Sequence, residues 1–357
     1  MLDYLHGQHR LSYSTSKYDF ESLVLDALLV SNETEIPLQQ VHQLDGIVNN
    51  VEKYRQILFS LFRTQEFQLP YKKLGAHLID TYFNESALIQ KTPTVRIQLP
   101  GADSTSYHSD GWYGHGKTVR SFWVPLTNVA EGNTLYMAED INRSVQCLNK
   151  IISSQATLEE INKLGMEVCL PFEGGYGDIL TFSSDMIHGA NKNTLDYTRV
   201  SFDFRIAPDP SDLGTKPVSN FYARSELDDA SEQKDSVSSN CKFKSITYSN
   251  LCGGVSAKSQ LMLCAAFSES NDIDIIGNES EIVTLDYLPV LRHYLESQDI
   301  VNSVVVFSTG IFGGNRELAS KILDIASLNN KQLIFCAEGI FYSEGSDKNQ
   351  IMDLVRL

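Results

Sequence analysis

Arg199-Val-Ser-Phe-Asp-Phe-Arg-Ile206 decides the fold: a short run rich in β-branched and aromatic residues, it reads as a strand and not as a helix. Working outward, Val95-Arg-Ile-Gln-Leu99, Ser121-Phe-Trp-Val-Pro-Leu126, Thr134-Leu-Tyr-Met137 and Gly177-Asp-Ile-Leu-Thr-Phe182 have the same texture. Gly, Pro, Asn and Asp separate them. Many short strands with regular turn signals between Thr94 and Ile206 predict a double-stranded β-helix, a jelly-roll barrel. Gln155 to Lys163, with Thr157-Leu-Glu-Glu160 as a capping box, is expected to form a helix between strands.

Upstream, Leu23, Leu25, Leu28 and Leu29, then Val41, Leu44, Ile47, Val51, Ile57, Leu58 and Leu61, recur at spacings near three and four. This predicts amphipathic helices from about Lys17 to Tyr82 that cover a sheet. Downstream, Ser225 to Asn240 is polar, acidic and almost free of large apolar groups, which predicts a linker. After it strands and helices alternate: strand Phe243 to Tyr248, helix Ala257 to Ser268, strand Glu281 to Thr284, helix Tyr287 to Ser297. Strand Val304 to Ser308, helix Arg316 to Ser327, strand Gln332 to Ala337 and helix Lys348 to Val355 follow. The expected chain is a multidomain α+β protein. It has a barrel domain with flanking helices (1–224), a linker (225–240) and a small α/β domain with a mainly parallel sheet (241–357).

The 357 residues carry a formal net charge of -16, which would repel a nucleic-acid backbone and favours a small-molecule substrate. No apolar run approaches the ~20 residues that span a bilayer, and Met1-Leu-Asp-Tyr-Leu-His is no signal peptide. A cytoplasmic protein without a membrane partner is expected. The six cysteines (Cys147, Cys169, Cys241, Cys252, Cys264, Cys336) never form C-x-x-C, which removes the common zinc and redox signatures.

Chemistry concentrates in Tyr107-His108-Ser109-Asp110-Gly111 and Ser184-Asp185-Met186-Ile187-His188-Gly189. An imidazole and a carboxylate two positions apart can share one metal at a strand end, with a distant histidine completing the face. With eight histidines in the chain, H-x-D alone is a common accident. Its context is not: the pair sits at a Gly-rich strand boundary, His188 follows the strand Asp178 to Phe182, and Arg199 lies 199 - 188 = 11 positions further, as R-x-S with Ser201. A guanidinium suits a planar carboxylate because it can make two parallel hydrogen bonds and cannot lose its charge.

This combination resembles the iron(II)/2-oxoglutarate-dependent oxygenase superfamily over about Thr94 to Ile206. The resemblance implies that His108, Asp110 and His188 are catalytic iron ligands, that Arg199 and Ser201 bind the distal carboxylate of 2-oxoglutarate, and that O2 is consumed. It implies hydroxylation of a C–H bond, with desaturation, ring formation or epimerisation as variants. His108-Ser-Asp-Gly-Trp-Tyr-Gly with Trp123-Val-Pro-Leu126 is similar to the sporadic carbohydrate cluster oxygenases. Ser303-Val-Val-Val-Phe-Ser308 and Ile334-Phe-Cys-Ala-Glu-Gly339 resemble their small companion proteins. A sugar or nucleotide-linked sugar substrate follows from that likeness. A homo-oligomer, or a pathway partner recruited by the C-terminal domain, is also expected.

Around the ligands, Arg96 and Gln98 alternate on one face of their strand and could reach the 1-carboxylate. Asn133 and Thr134 are weaker candidates for the pocket. Gly111-Trp-Tyr-Gly-His-Gly116 suggests a flexible lip in which Trp112, Tyr113 and His115 meet the substrate. The C-terminal domain also resembles the catalytic fold of serine recombinases, with Cys252 where the nucleophile would stand and no supporting Arg. Two rivals compete with the oxygenase: a non-catalytic scaffold that binds metal or 2-oxoglutarate, and a cupin-like metal-dependent isomerase with no need of Arg199.

Overall fold

The computed structural model describes residues 7–29, 36–83, 86–103, 105–216, 221–224, 244–250, 257–271, 273–281, 287–296 and 301–355. The chain divides into two compact units, Met1–Ile151 with Ile161–Ala230, and Ile152–Glu160 with Ser231–Leu357. The break at 230 falls inside the expected linker, Ser225 to Asn240, whose conformation lies outside the described residues. No helix among the described residues is long and apolar enough to cross a membrane.

In the first unit the described strands are β1 (Gln8–Ser12), β2 (Leu88–Gln90), β3 (Thr94–Gln98), β4 (Arg120–Pro125), β5 (Tyr136–Ala138), β6 (Cys169–Pro171), β7 (Asp178–Ser183), β8 (His188–Gly189), β9 (Arg199–Ala207) and β10 (Tyr222–Ala223). A large antiparallel sheet runs β1-β7-β4-β9-β2-β10, with β3 also on β9, and a small one runs β6-β5-β8. From β3 the chain crosses to His108, which bridges His188, and then shuttles between the two sheets through β4, β5, β6, β7, β8 and β9. That path is a jelly roll, as expected.

β9 explains how the barrel and its site are built together. Successive side chains on a strand face opposite sides. Val200, Phe202, Phe204 and Ile206 are fully buried and join the helical layer, while Arg199, Ser201, Asp203 and Arg205 share the other face. Phe202 meets Phe20 edge-on at 5.2 Å and Phe204 meets Tyr71 at 5.3 Å. Phe20 begins α1 (Phe20–Leu29). The other helices of the layer are α2 (Asp45–Asn49), α3 (Val51–Leu61) and α4 (Gln65–Tyr82), close to the predicted helical region. One strand therefore anchors the apolar core on one face and carries a row of charges on the other.

Two stretches before residue 224 depart from expectation. β1 is an edge strand on β7; its sequence, Gln-His-Arg-Leu-Ser, lacks an apolar run because one side of an edge strand needs no partner. The helical insertion is two helices, α5 (Ile141–Ser154) and α6 (Leu158–Val168). The capping box is made as predicted: Thr157 N donates to Glu160 Oε2 (2.7 Å) and Glu160 N to Thr157 Oγ1 (3.2 Å). α5 buries Ser144, Cys147 and Ile151, and Ile141, Val145, Leu148 and Ile152 recur with them at helical spacing.

The second unit orders its strands β12-β11-β13-β14-β15. They are β11 (Lys244–Ser249), β12 (Asp274–Ser280), β13 (Ser303–Val306), β14 (Gln332–Phe335) and β15 (Ile340–Tyr342), and the first four pair in parallel. Helices α7 (Ala257–Ser270), α8 (Pro289–Glu296), α9 (Arg316–Leu328) and α10 (Lys348–Met352) fall near the predicted positions. The strand expected at Glu281 to Thr284 is corrected to β12. Glu281 is buried and accepts from Val290 N (3.1 Å), Leu291 N (3.0 Å) and Tyr248 Oη (2.8 Å), so it caps α8. Residues 282–284 and Cys252 lie outside the described residues.

Candidate metal centre

His108 and His188, 80 positions apart, are adjacent because they form an antiparallel bridge. His108 N donates to His188 O and His188 N to His108 O, both at 2.8 Å, and the rings stand 4.3 Å apart. Asp110 enters on a single 3-10 turn, Asp110–Tyr113, pinned by Gly111 N to Ser184 O (2.9 Å). Asp110 Oδ1 lies 3.9 Å from His108 Nε2 and 3.8 Å from His188 Nε2. Among the described residues this is the group of His, Cys, Asp and Glu side chains able to hold a metal ion, and all three are buried.

The donor atoms are prepared for a cation. His108 Nδ1 hydrogen-bonds Ser106 O (2.7 Å) and His188 Nδ1 hydrogen-bonds Met186 O (2.9 Å), which fixes Nδ1 as the protonated nitrogen and leaves each Nε2 lone pair at the centre. Burial and the His188 ring push His108 down to about 3, and burial lowers His188. Although burial opposes it, the Arg205 guanidinium holds the Asp110 carboxyl well below the usual carboxylate range. Two neutral imidazoles and one carboxylate on one face fit iron(II), leaving coordination positions for a chelating ligand.

A metal displaces protons from ordinary imidazoles, which titrate near ~6.5. Here burial keeps both rings neutral below that range, so metal affinity should fall far less between pH 7 and 5.5 than it would with ordinary rings. Two unperturbed histidines would lose about fiftyfold or more. Competition against a chromophoric chelator at the two pH values measures this, and a fiftyfold loss would show that burial does not hold the rings neutral.

Arg205 stands outside the set expected from the sequence. It donates to Asp110 from Nη2 (2.9 Å to Oδ1, 3.1 Å to Oδ2) and from Nε (3.2 Å to Oδ2), and also pairs with Asp203. Ser121 Oγ donates to Asp110 Oδ2 as well. Arg205 stands six positions after Arg199 in the same strand, so both face the barrel interior; that parity is the signal that could have found it.

The predicted co-substrate residues meet on β3 and β9, where Arg96 pairs with Ser201 and Gln98 with Arg199. Arg199 is buried and donates from Nη1 to Asn133 O (3.1 Å); burial and the nearby Arg96 push it down to about 9. Ser201 Oγ, Thr134 Oγ1 and Asn133 Nδ2 are buried with no hydrogen-bond partner among the described residues. Leaving such groups unmet costs about 1–3 kcal/mol each. Two cations beside orphaned donors fit the carboxylates of 2-oxoglutarate. Gln98 takes another part: its amide nitrogen donates to Ala102 O (3.1 Å) and Asn191 O (2.8 Å), so it braces two loops and offers the pocket no donor.

The predicted lip is not loose. Gly114 adopts φ 82°, and a Cβ on Gly116 would sit 2.0 Å from Asp212 O, so these glycines permit close backbone packing. Trp112 is 2% exposed and packs inside, whereas the Tyr113 ring stands 5.0 Å from His108, edge to face. His115 lies beside Tyr222, with Nδ1 3.2 Å from its hydroxyl. Behind the ligands, a Cβ on Gly189 would stand 2.7 Å from Tyr107 Cγ and 2.9 Å from Tyr107 Cα. Gly189→Ala should therefore shift Tyr107 and with it His108. A loss of about 1–3 kcal/mol in urea denaturation and weaker metal binding are expected, and unchanged values in both would contradict this packing role.

No family model matches the chain. Over 192 residues it is 27% identical to the streptomycin biosynthesis protein StrG of Streptomyces griseus, covering 53% of this chain and 73% of that one. Among solved structures it is similar to the non-heme alpha ketoglutarate dependent carbocyclase SnoK from nogalamycin biosynthesis. That match has 13% identity and a TM-score of 0.33, over 56% of this chain and 79% of that one. A further match is the N-terminal catalytic domain of TP901-1 integrase, at 14% identity and a TM-score of 0.26, over 31% of this chain and 90% of that one.

Proposed function

We propose that the chain is an iron(II)- and 2-oxoglutarate-dependent oxygenase. The observation that carries this reading is the joint placement of a buried 2-His-1-carboxylate face (His108, Asp110, His188) and a cationic end, with Arg199 and Ser201 buried and Arg96 half-buried, in one barrel. A bare metal-dependent isomerase has no use for the second feature. When bound, iron(II) with 2-oxoglutarate and O2 supplies the oxidation of a C–H bond, yielding succinate and CO2.

The protein's own part is placement and exclusion of water. His108 and His188 present fixed Nε2 donors, and Asp110 brings the negative charge, steadied by Ser121 and Arg205. Arg199 and Ser201 anchor the distal carboxylate, with Arg96 opposite Ser201 in register. Phe182, 2% exposed with its ring 4.6 Å from that of His188, keeps one flank dry. Tyr113 stands on the flank of His108, where a substrate would be met.

The prime substrate we assign is a small polar molecule, a sugar or nucleotide-linked sugar in a biosynthetic pathway, and hydroxylation is the default outcome. The similarity to a streptomycin biosynthesis protein supports a biosynthetic role. The test is succinate release from 2-oxoglutarate with candidate sugars. Formation that requires iron(II), 2-oxoglutarate and O2 together is expected, whereas binding of 2-oxoglutarate without turnover in any mixture would favour a scaffold.

A further inference from the structure

On the inner face of β9, Arg199 and Arg205 are six residues apart, about 20 Å along an extended strand. The Arg199 end suits 2-oxoglutarate. The Arg205 end carries a second group of cationic and donor side chains that the proposed chemistry does not use. Residues 213–216 lie against the turn that follows Asp110: Thr215 N donates to Gly114 O (2.8 Å), and His115 N to Asp110 O (3.4 Å). Gly214, at φ 63°, lets the two backbones touch, since a Cβ there would lie 2.3 Å from Gly114 O.

This packing brings Lys216 and His115 to one shared ring, that of Phe221. Lys216 Nζ lies 5.5 Å from the Phe221 ring centre, and the Phe221 ring lies 5.4 Å from that of His115. Lys216 is half-buried and makes no ion pair or side-chain hydrogen bond among the described residues. The carboxylates nearby are committed: Asp110 and Asp203 to Arg205, and Asp212 to Thr118 N (2.7 Å). His115 Nδ1 faces the Tyr222 hydroxyl at 3.2 Å, while its Nε2 makes no hydrogen bond among the described residues and is left for a ligand. Lys216 feels Asp110 only through space and rests against the Phe221 ring, so its partly desolvated ammonium has no directly bonded anion until a ligand brings one.

We propose that Lys216 and His115 anchor a phosphate group of the prime substrate, on the Asp110 side of the metal centre and away from Arg199. The reading rests on the proposed oxygenase. Phosphate is favoured over a carboxylate because the planar fork of Arg205 is already filled by Asp110 and Asp203. A lone ammonium binds phosphate as a point charge without needing such a fork. In a chain of net charge -16, a phosphorylated substrate requires such a local cation.

The experiment is calorimetric titration of the full chain, loaded anaerobically with iron(II) and 2-oxoglutarate, with glucose 1-phosphate, inorganic phosphate and glucose. Glucose 1-phosphate should bind at least about tenfold more tightly than glucose. Lys216→Gln should remove that margin, while the exposed-site control Lys117→Gln keeps it. Equal binding of glucose and glucose 1-phosphate, or a margin that survives Lys216→Gln, would overturn the proposal. Recording 2-oxoglutarate binding on the same samples separates the two claims. A Lys216-dependent phosphate margin without 2-oxoglutarate binding upholds the anion site and removes the oxygenase, and the reverse pattern removes the anion site alone.

Discussion

Asp110→Ala is expected to abolish succinate formation, by more than about a thousandfold, and to destabilise the protein by about 3–5 kcal/mol. Both effects come from one carboxylate. Asp110 is the only anionic donor in the triad, so its loss leaves two neutral imidazoles that hold a dication weakly. It is also the main counter-charge of Arg205, to which it is joined by three hydrogen bonds in a buried setting. Without it Arg205 retains Asp203 alone. Asp110→Asn separates the two roles, because it keeps the shape and an acceptor for Arg205 while removing the charge. It should be as inactive as the alanine variant but lose less stability. Succinate assay and urea denaturation of both variants check this; turnover by Asp110→Ala near the parent rate would remove the carboxylate from the metal.

Arg199→Ala is expected to raise the KM for 2-oxoglutarate by about a hundredfold or more, since charge-assisted hydrogen bonds contribute about 1.5–3 kcal/mol each. Its stability should hardly fall. Arg199 is costly in the free protein, where burial and the repulsion of Arg96 push it down to about 9, so removing it relieves part of a desolvation cost. Arg199→Lys should recover some affinity through its point charge. A KM within threefold of the parent in the alanine variant would place the co-substrate elsewhere.

Much of the barrel and its site is legible in the sequence. His108, Asp110, His188, Arg199 and Ser201 are readable as a set because spacing along a strand-rich region survives folding, and the R-x-S parity places both side chains on one face. Arg205 obeys the same parity but escapes, since nothing in a linear reading says that a charge two positions after Asp203 will turn back to a metal ligand. For Gln98 the face follows from period two, while the partners of its amide nitrogen, Ala102 O and Asn191 O, depend on loops that a linear reading does not place. The glycines at 114 and 116 suggest looseness in the sequence and serve close approach in the fold, which only the backbone of residues 212–214 reveals. Edge strands β1 and β12 escape because each lacks the apolar periodicity that marks a fully covered element, whereas α5 carries a helical apolar spacing that a strand-based reading of the region passes over.

The most direct test of the central claim is anaerobic titration of the iron(II)-loaded protein with 2-oxoglutarate, followed by visible absorption. A charge-transfer band that saturates at one equivalent per chain, disappears in His108→Ala and needs about a hundredfold more 2-oxoglutarate in Arg199→Ala is the predicted result. No band in the parent protein, or a band indifferent to His108 and Arg199, would contradict the account.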